Sequence, residues 1–189
     1  MIVSRTEFGR FLNGLGLTGV AVEIGTHRGE FAKQFLDTWE GDLLHCVDPW
    51  RDLSPGYDYQ AECLIKHLRG AGDREKDFQA AKDLLEQFHG DRVQFHRMLS
   101  VEFSMQLPEE SVDFVYVDGD HRKEKVLQDL CAWYPVLKST GILAGHDYGK
   151  VEWEVGIQSA VTAFALERGL SVFVVKEPVG PWSYYMVKP

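Results

Sequence analysis

Val20-Ala21-Val22-Glu23-Ile24-Gly25-Thr26-His27-Arg28-Gly29 is the stretch from which the fold is read. A short β-branched run carries an acid near its end and then breaks into two glycines four residues apart. An amphipathic pattern follows, with Phe31, Phe35 and Leu36 on one side, so the order is strand, tight turn, helix. That order opens a nucleotide-type α/β fold. Glycine at the carboxyl end of such a strand lets backbone approach a ligand where a Cβ would obstruct it. The spacing is G-x-x-x-G with Glu23 two positions before the first glycine. It differs from the G-x-G-x-x-G that cradles a dinucleotide pyrophosphate.

The 189 residues fit one domain spanning 1–189, with a hydrophobic content of 44% that supports a folded core. A net charge of −9 argues against nucleic acid as the main partner, whose footprint is basic. The N-terminus lacks an apolar h-region and no apolar run is long enough for a bilayer, so neither a signal peptide nor a membrane partner is expected. Cys46, Cys63 and Cys131 are widely spaced with no C-x-x-C, which suits reduced thiols in a cytoplasmic protein. Self-association is left open.

Residues 1–19 read as a helical segment around Phe8, Phe11 and Leu12, closed by Asn13-Gly14-Leu15-Gly16. Strands are expected at Val20–Ile24, Leu43–Asp48, Val93–His96, Ser111–Asp118 and Gly141–Asp147. Helices are expected at Gly29–Thr38, His121–Leu137 and Gly156–Arg168. Strands near Val172–Val175 and Tyr184–Val187, so close together, predict an antiparallel hairpin. Residues 50–90 form a helical insertion with patterns around Ala61–Leu68 and Phe78–Phe88. Ser54-Pro55-Gly56 beside Trp50, Tyr57 and Tyr59 makes part of it either a lid over a ligand or an insertion packing its aromatics inward. His45, His67, His89 and His96 read as structural or surface residues, and His27 and Arg28 as turn surface.

In an open parallel sheet, ligands bind beyond the carboxyl ends of the strands. Glu23, Asp48, Asp118 and Asp147 lie at or just beyond four such ends. A packed core would not bury four unpaired acids, so they are expected to face a cleft. Asp118 and Asp147 should converge, since neighbouring strands lie about 4.8 Å apart. His121 follows Asp118 closely, and an imidazole titrates near neutrality, as a general base must. Its structural alternative is a helix-start residue bonded to Asp118 or Asp120.

The turn at Glu23–Gly29 resembles motif I, E-x-G-x-x-x-G, of the class I S-adenosylmethionine-dependent methyltransferases. Parallel βα units closed by an antiparallel hairpin resemble the family's sheet over nearly the whole chain. The resemblance implies a Rossmann-like α/β fold of seven mostly parallel strands with helices on both faces. It implies S-adenosylmethionine as cofactor, held by Glu23, Gly25, Thr26, Gly29, Asp48, Ser100 and Asp118, with Asp48 on the ribose and Ser100 near the adenine. Phe31 stands where many relatives carry Ser or Thr. Asp118-Gly119-Asp120-His121 and Gly145-His146-Asp147-Tyr148 resemble the catechol-type and macrolide-sugar O-methyltransferases. There the acids ending strands four and five hold a divalent cation against the substrate hydroxyls. This implies a metal set of Asp118, Asp147 and His146, suited to Mg²⁺ or Mn²⁺, with His121 and Asp118 as catalytic residues. Tyr148 stands where relatives have a further ligand. The expected activity is methyl transfer to a hydroxyl of a small molecule. The alternatives are a non-catalytic cofactor-binding module, a hydroxylase-like relative and a dinucleotide-dependent oxidoreductase.

Overall fold

The computed structural model describes residues 4–51, 73–88, 91–149, 155–177 and 180–189. Its strands are β1 (Val20–Ile24), β2 (Leu43–Val47), β3 (Val93–His96), β4 (Val112–Val117), β5 (Leu137–Gly145), β6 (Phe173–Val175) and β7 (Ser183–Val187). The α-helices are α1 (Phe8–Gly14), α2 (Glu30–Leu36), α3 (Arg74–Leu85), α4 (Ser100–Ser104), α5 (Lys123–Trp133) and α6 (Val155–Arg168). A 3-10 turn at Arg5–Glu7 leads into α1.

One sheet holds all seven strands in the order β3-β2-β1-β4-β5-β7-β6. The first five in that order pair parallel, and β7 runs antiparallel to both β5 and β6. The chain walks outward from β1 to β3 and then returns to place β4 on the other side of β1. That reversal opens a crevice between the loops after β1 and β4, the usual ligand position in such sheets.

Strand side chains alternate between two cores, as the pleat requires. Phe114 and Tyr116 of β4 face a layer built on Phe8, Leu12, Phe31, Phe35, Ala81 and Leu85. Val115 and Val117 face Phe103, Val126, Leu130, Trp133, Ile157 and Phe164. Every residue of β4 is buried, as expected of a central parallel strand.

Three expectations change. The helix read as ending at Leu137 stops at Trp133, and Leu137 opens β5. Pro135 is the reason: it disfavours a helical residue before it and removes a backbone donor. Ser100, which before Glu102 and Phe103 reads as a helix N-cap, is instead the first residue of α4, and the Leu99 N–H before it donates to Glu102 at 3.2 Å. Trp50 belongs to the core at 2% exposure, its Nε1 donating to the His27 carbonyl at 2.7 Å. It is therefore not part of a surface lid. The remainder of the lid expectation, with Ser54-Pro55-Gly56, Tyr57, Tyr59, Cys63 and the helix at Ala61–Leu68, lies outside the described residues, as do His67 and His89. No helix among the described residues is long and apolar enough to cross a membrane.

Candidate active site

Backbone hydrogen bonds carry the ladder past the strand ends and gather the loops at one edge. Gly25 N donates to Val47 O at 2.8 Å, Asp118 N to Ile24 O at 2.9 Å, and His146 N to Val117 O at 3.1 Å. Three non-glycine residues here have left-handed backbone: His27 (φ 51), Trp50 (φ 40) and Asp147 (φ 56). Such conformations persist where the surroundings fix them, commonly at functional sites.

On the β1 side, Glu23 is 2% exposed and its Oε2 has no hydrogen-bond partner among the described residues. The Thr26 hydroxyl beside it is likewise buried and unpartnered. Burial drives the Glu23 carboxyl well above the ordinary range; nearby Thr26 opposes this, and the charges of Asp118 and Asp48 add to it. Orphaned buried polar atoms are rare and costly, so this pair is suited to a polar ligand group. Asp48 accepts the His27 N–H at 3.0 Å and the Trp50 N–H at 2.8 Å. Both oxygens are thereby aimed, with lone pairs to spare for hydroxyls. Phe31 stacks on Tyr116 at 3.8 Å between ring centroids, so this position serves the core.

Sequence reading missed what braces this loop. Asp77 on α3 is 1% exposed. Arg28 Nε donates to its Oδ1 at 2.7 Å, and His27 Nε2 and Arg74 lie 3.5 and 3.8 Å from Oδ2. Arg28, read as turn surface, thus reaches an internal carboxylate. Ser100, expected near the adenine, has its hydroxyl engaged in the packing, accepting from Trp133 Nε1 at 2.7 Å.

On the β4–β5 side, Asp118, His121 and Asp147 offer ligand atoms all within 4.8 Å of one another. The two acids converge as strand spacing predicted. His121 Nε2 donates to Asp147 Oδ2 at 3.0 Å. His146 Nδ1 lies 3.3 Å from Asp147 Oδ1 and 3.8 Å from Asp118 Oδ1, while its Nε2 lies 3.2 Å from Arg5 Nη1. Thus the three-ligand cluster contains His121, where sequence had put His146. Tyr148 packs against Tyr184 at 5.5 Å and offers the cluster nothing. The Tyr184 hydroxyl is fully buried without a hydrogen-bond partner among the described residues, in a recess lined also by Asp118, His121, His146 and Asp147. As one position of an alternating strand, it gave no sequence signal.

The two carboxyls diverge in character. Burial raises Asp118 to about 6, His146 pulls it down, and the Asp147 charge raises it further. Asp147 is also penalised by burial, but hydrogen bonds from His121 and His146 outweigh that and hold it below the ordinary range. Unfolded, Asp118 titrates near 3.8, so the folded chain binds this proton more tightly. Its stabilising share is complete below about 4 and is lost as pH rises through about 6. Asp118→Asn in EDTA should therefore stabilise the protein at pH 8, by up to about 3 kcal/mol, and hardly at pH 4. Thermal melts at both pH values check this; equal shifts would refute the assignment.

His45 and His96, read as structural or surface residues, meet: Nδ1 and Nε2 lie 2.9 Å apart, and His96 stacks on Phe103 at 3.8 Å. Burial depresses both, His45 to about 4. They act as a neutral structural pair.

No protein of curated function is detectably similar in sequence to this chain. Solved structures share its fold. The O-methyltransferase NovP superimposes with a TM-score of 0.70 at 16% identity, over 97% of this chain and 77% of that one. An O-methyltransferase from Bacillus cereus, in complex with SAH, gives 0.65 at 16% identity, over 97% and 80%. SMU.1697c from Streptococcus mutans, also in complex with SAH, gives 0.67 at 14% identity and covers both chains fully. At such identities the likeness establishes the fold. The sequence model of a methyltransferase domain matches residues 22–148, from within β1 to just past Asp147, and the chain belongs to that methyltransferase-domain family.

Proposed function

We propose that this chain transfers a methyl group from S-adenosylmethionine to a hydroxyl of a small molecule, with a divalent cation held by Asp118 and Asp147 and with His121 beside them as the base. The observation that carries the reading is the meeting of these three side chains beside the crevice formed by the Gly25 turn. Glu23 Oε2 and Thr26 Oγ1, buried without a hydrogen-bond partner among the described residues, fit the polar methionine end of the cofactor, and Asp48, aimed by two backbone donors, fits its ribose. The carboxylate oxygens of Asp118 and Asp147 fit Mg²⁺ or Mn²⁺.

The cofactor supplies a methyl on a good leaving group, and a bound cation would lower the pKa of the acceptor hydroxyl. What the chain must do is position and deprotonate. Asp147 accepts from His121 Nε2–H, which in the neutral ring leaves the lone pair on Nδ1. His121 can then take the hydroxyl proton as the oxygen–carbon bond forms and the sulfur–carbon bond breaks. Asp147, kept ionised by its two histidines, stabilises the imidazolium that results.

Calorimetry with SAH and with NAD, followed by labelled-methyl transfer to a panel of hydroxyl compounds with and without EDTA, tests the reading. NAD binding without SAH binding would end it. SAH binding with no transfer to any acceptor would leave a binding module. Because Asp77 braces the turn, Asp77→Asn should weaken SAH binding by about tenfold and lower the melting temperature, since Arg28 loses its buried counter-charge. Unchanged SAH affinity would make Asp77 a purely structural residue.

A further inference from the structure

The segment before β1 carries a charge into the site from outside the matched region 22–148. Phe8 and Leu12 are fully buried, with Phe8 against Phe114 and Tyr116, so α1 is anchored under the sheet. Ser4 Oγ accepts the Thr6 N–H at 3.3 Å and Glu177 accepts the Arg5 backbone N–H. Held at both points, Arg5 extends its side chain over the strand ends, with Nη1 3.2 Å from His146 Nε2 and 4.0 Å from Asp118 Oδ2.

A guanidinium only donates and keeps its charge at any working pH. His146 Nε2 must therefore accept, which puts the ring proton on Nδ1, facing Asp147 Oδ1 at 3.3 Å. Arg5 thus acts on Asp118 by its charge and on Asp147 through His146. Two carboxylates this close repel unless a positive charge intervenes, and Arg5 brings one. The same contact engages the His146 lone pair that a metal would need.

We infer that Arg5 is a tethered counter-ion of the Asp118–Asp147 pair and sets the cluster's affinity for a divalent cation by competing with it. The inference deepens the cation part of the proposed function and rests on that part alone. With Arg5 docked, an incoming ion meets a like charge and only the Asp118 and Asp147 carboxylates as ligands. Once Arg5 is displaced, the repulsion falls and His146 Nε2 becomes available as a further ligand.

The test is Mn²⁺ binding to the full chain without cofactor, read from the paramagnetic resonance signal of the free ion. Arg5→Gln should bind Mn²⁺ at least about tenfold more tightly than wild type, and Arg5→Met, a second neutral side chain, should do the same. Arg5→Lys, which keeps the charge, should stay within about threefold of wild type. Adding Asp147→Asn to Arg5→Gln should abolish the gain, which locates the ion at the cluster. Equal or weaker binding by either neutral variant, no measurable binding by any of them, or a gain that survives Asp147→Asn would overturn the inference. SAH calorimetry on the same proteins separates it from the methyl-transfer reading. Failure of wild type to bind SAH would end that reading and leave the Mn²⁺ comparison standing.

Discussion

Gly25→Ala should cost this protein its folded site, while Gly119→Ala, across the same crevice, should be tolerated. Gly25 has φ 86, and an added Cβ would collide with the Asp118 carbonyl oxygen and lie 2.6 Å from Gly119 Cα and 2.7 Å from Asp118 C. All three are backbone atoms of the segment leaving β4, so no rotamer change relieves the overlap. Left-handed backbone costs alanine about 1–2 kcal/mol, and overpacking costs about 1–3 kcal/mol more. Against a net stability of roughly 5–15 kcal/mol, the melting temperature should fall by about 10 °C or more, or the protein should fail to accumulate. A Cβ on Gly119 would instead meet Ile24 Cγ2 at 3.5 Å, an ordinary contact. Thermal melting and SAH calorimetry on both variants make the comparison. A Gly25→Ala protein that melts and binds like wild type would show that the two loops can separate.

That contrast also shows how far the sequence could be read. A glycine was expected at the end of β1 because a ligand would need the space; the nearer reason is the backbone of the neighbouring strand. β1 and β3 begin and end where the residue pattern put them, because β-branched runs cut off by turn residues are local signals. The end of α5 was misplaced because apolar periodicity ran on through Pro135 to Leu137, and the proline decides. Acids at strand ends were legible as a set, but their division was not. Glu23 is buried, Asp147 is held by two histidines and Asp118 is raised by burial, and each outcome depends on neighbours distant in sequence. Arg5 lies 141 positions from His146, and Asp77 reads as one charge among many in a polar helix. Arg5 and His146, and Asp77 and Arg28 at 49 positions apart, are brought together only by the folded sheet.

His121→Ala is expected to lower kcat by roughly 10²–10⁴ and to leave SAH affinity within about twofold. The split follows from placement. His121 pairs with Asp147 on the β4–β5 side, whereas Glu23, Thr26 and Asp48 belong to the β1 side, so the cofactor half keeps its contacts. What the variant loses is the nitrogen that accepts the acceptor's proton. His121→Gln retains a donor toward Asp147 but no basic nitrogen, and should be as slow as His121→Ala if proton transfer is the role. Should His121→Gln instead recover wild-type turnover, orientation of Asp147 would be the role, and His121 would be a positioning residue. Raising pH offers a second discriminator: without the base, a more alkaline medium supplies more ionised acceptor, so the rate of His121→Ala should climb with pH beyond where wild type levels off. Full turnover by His121→Ala on a verified acceptor at neutral pH would reduce His121 to a structural partner of Asp147.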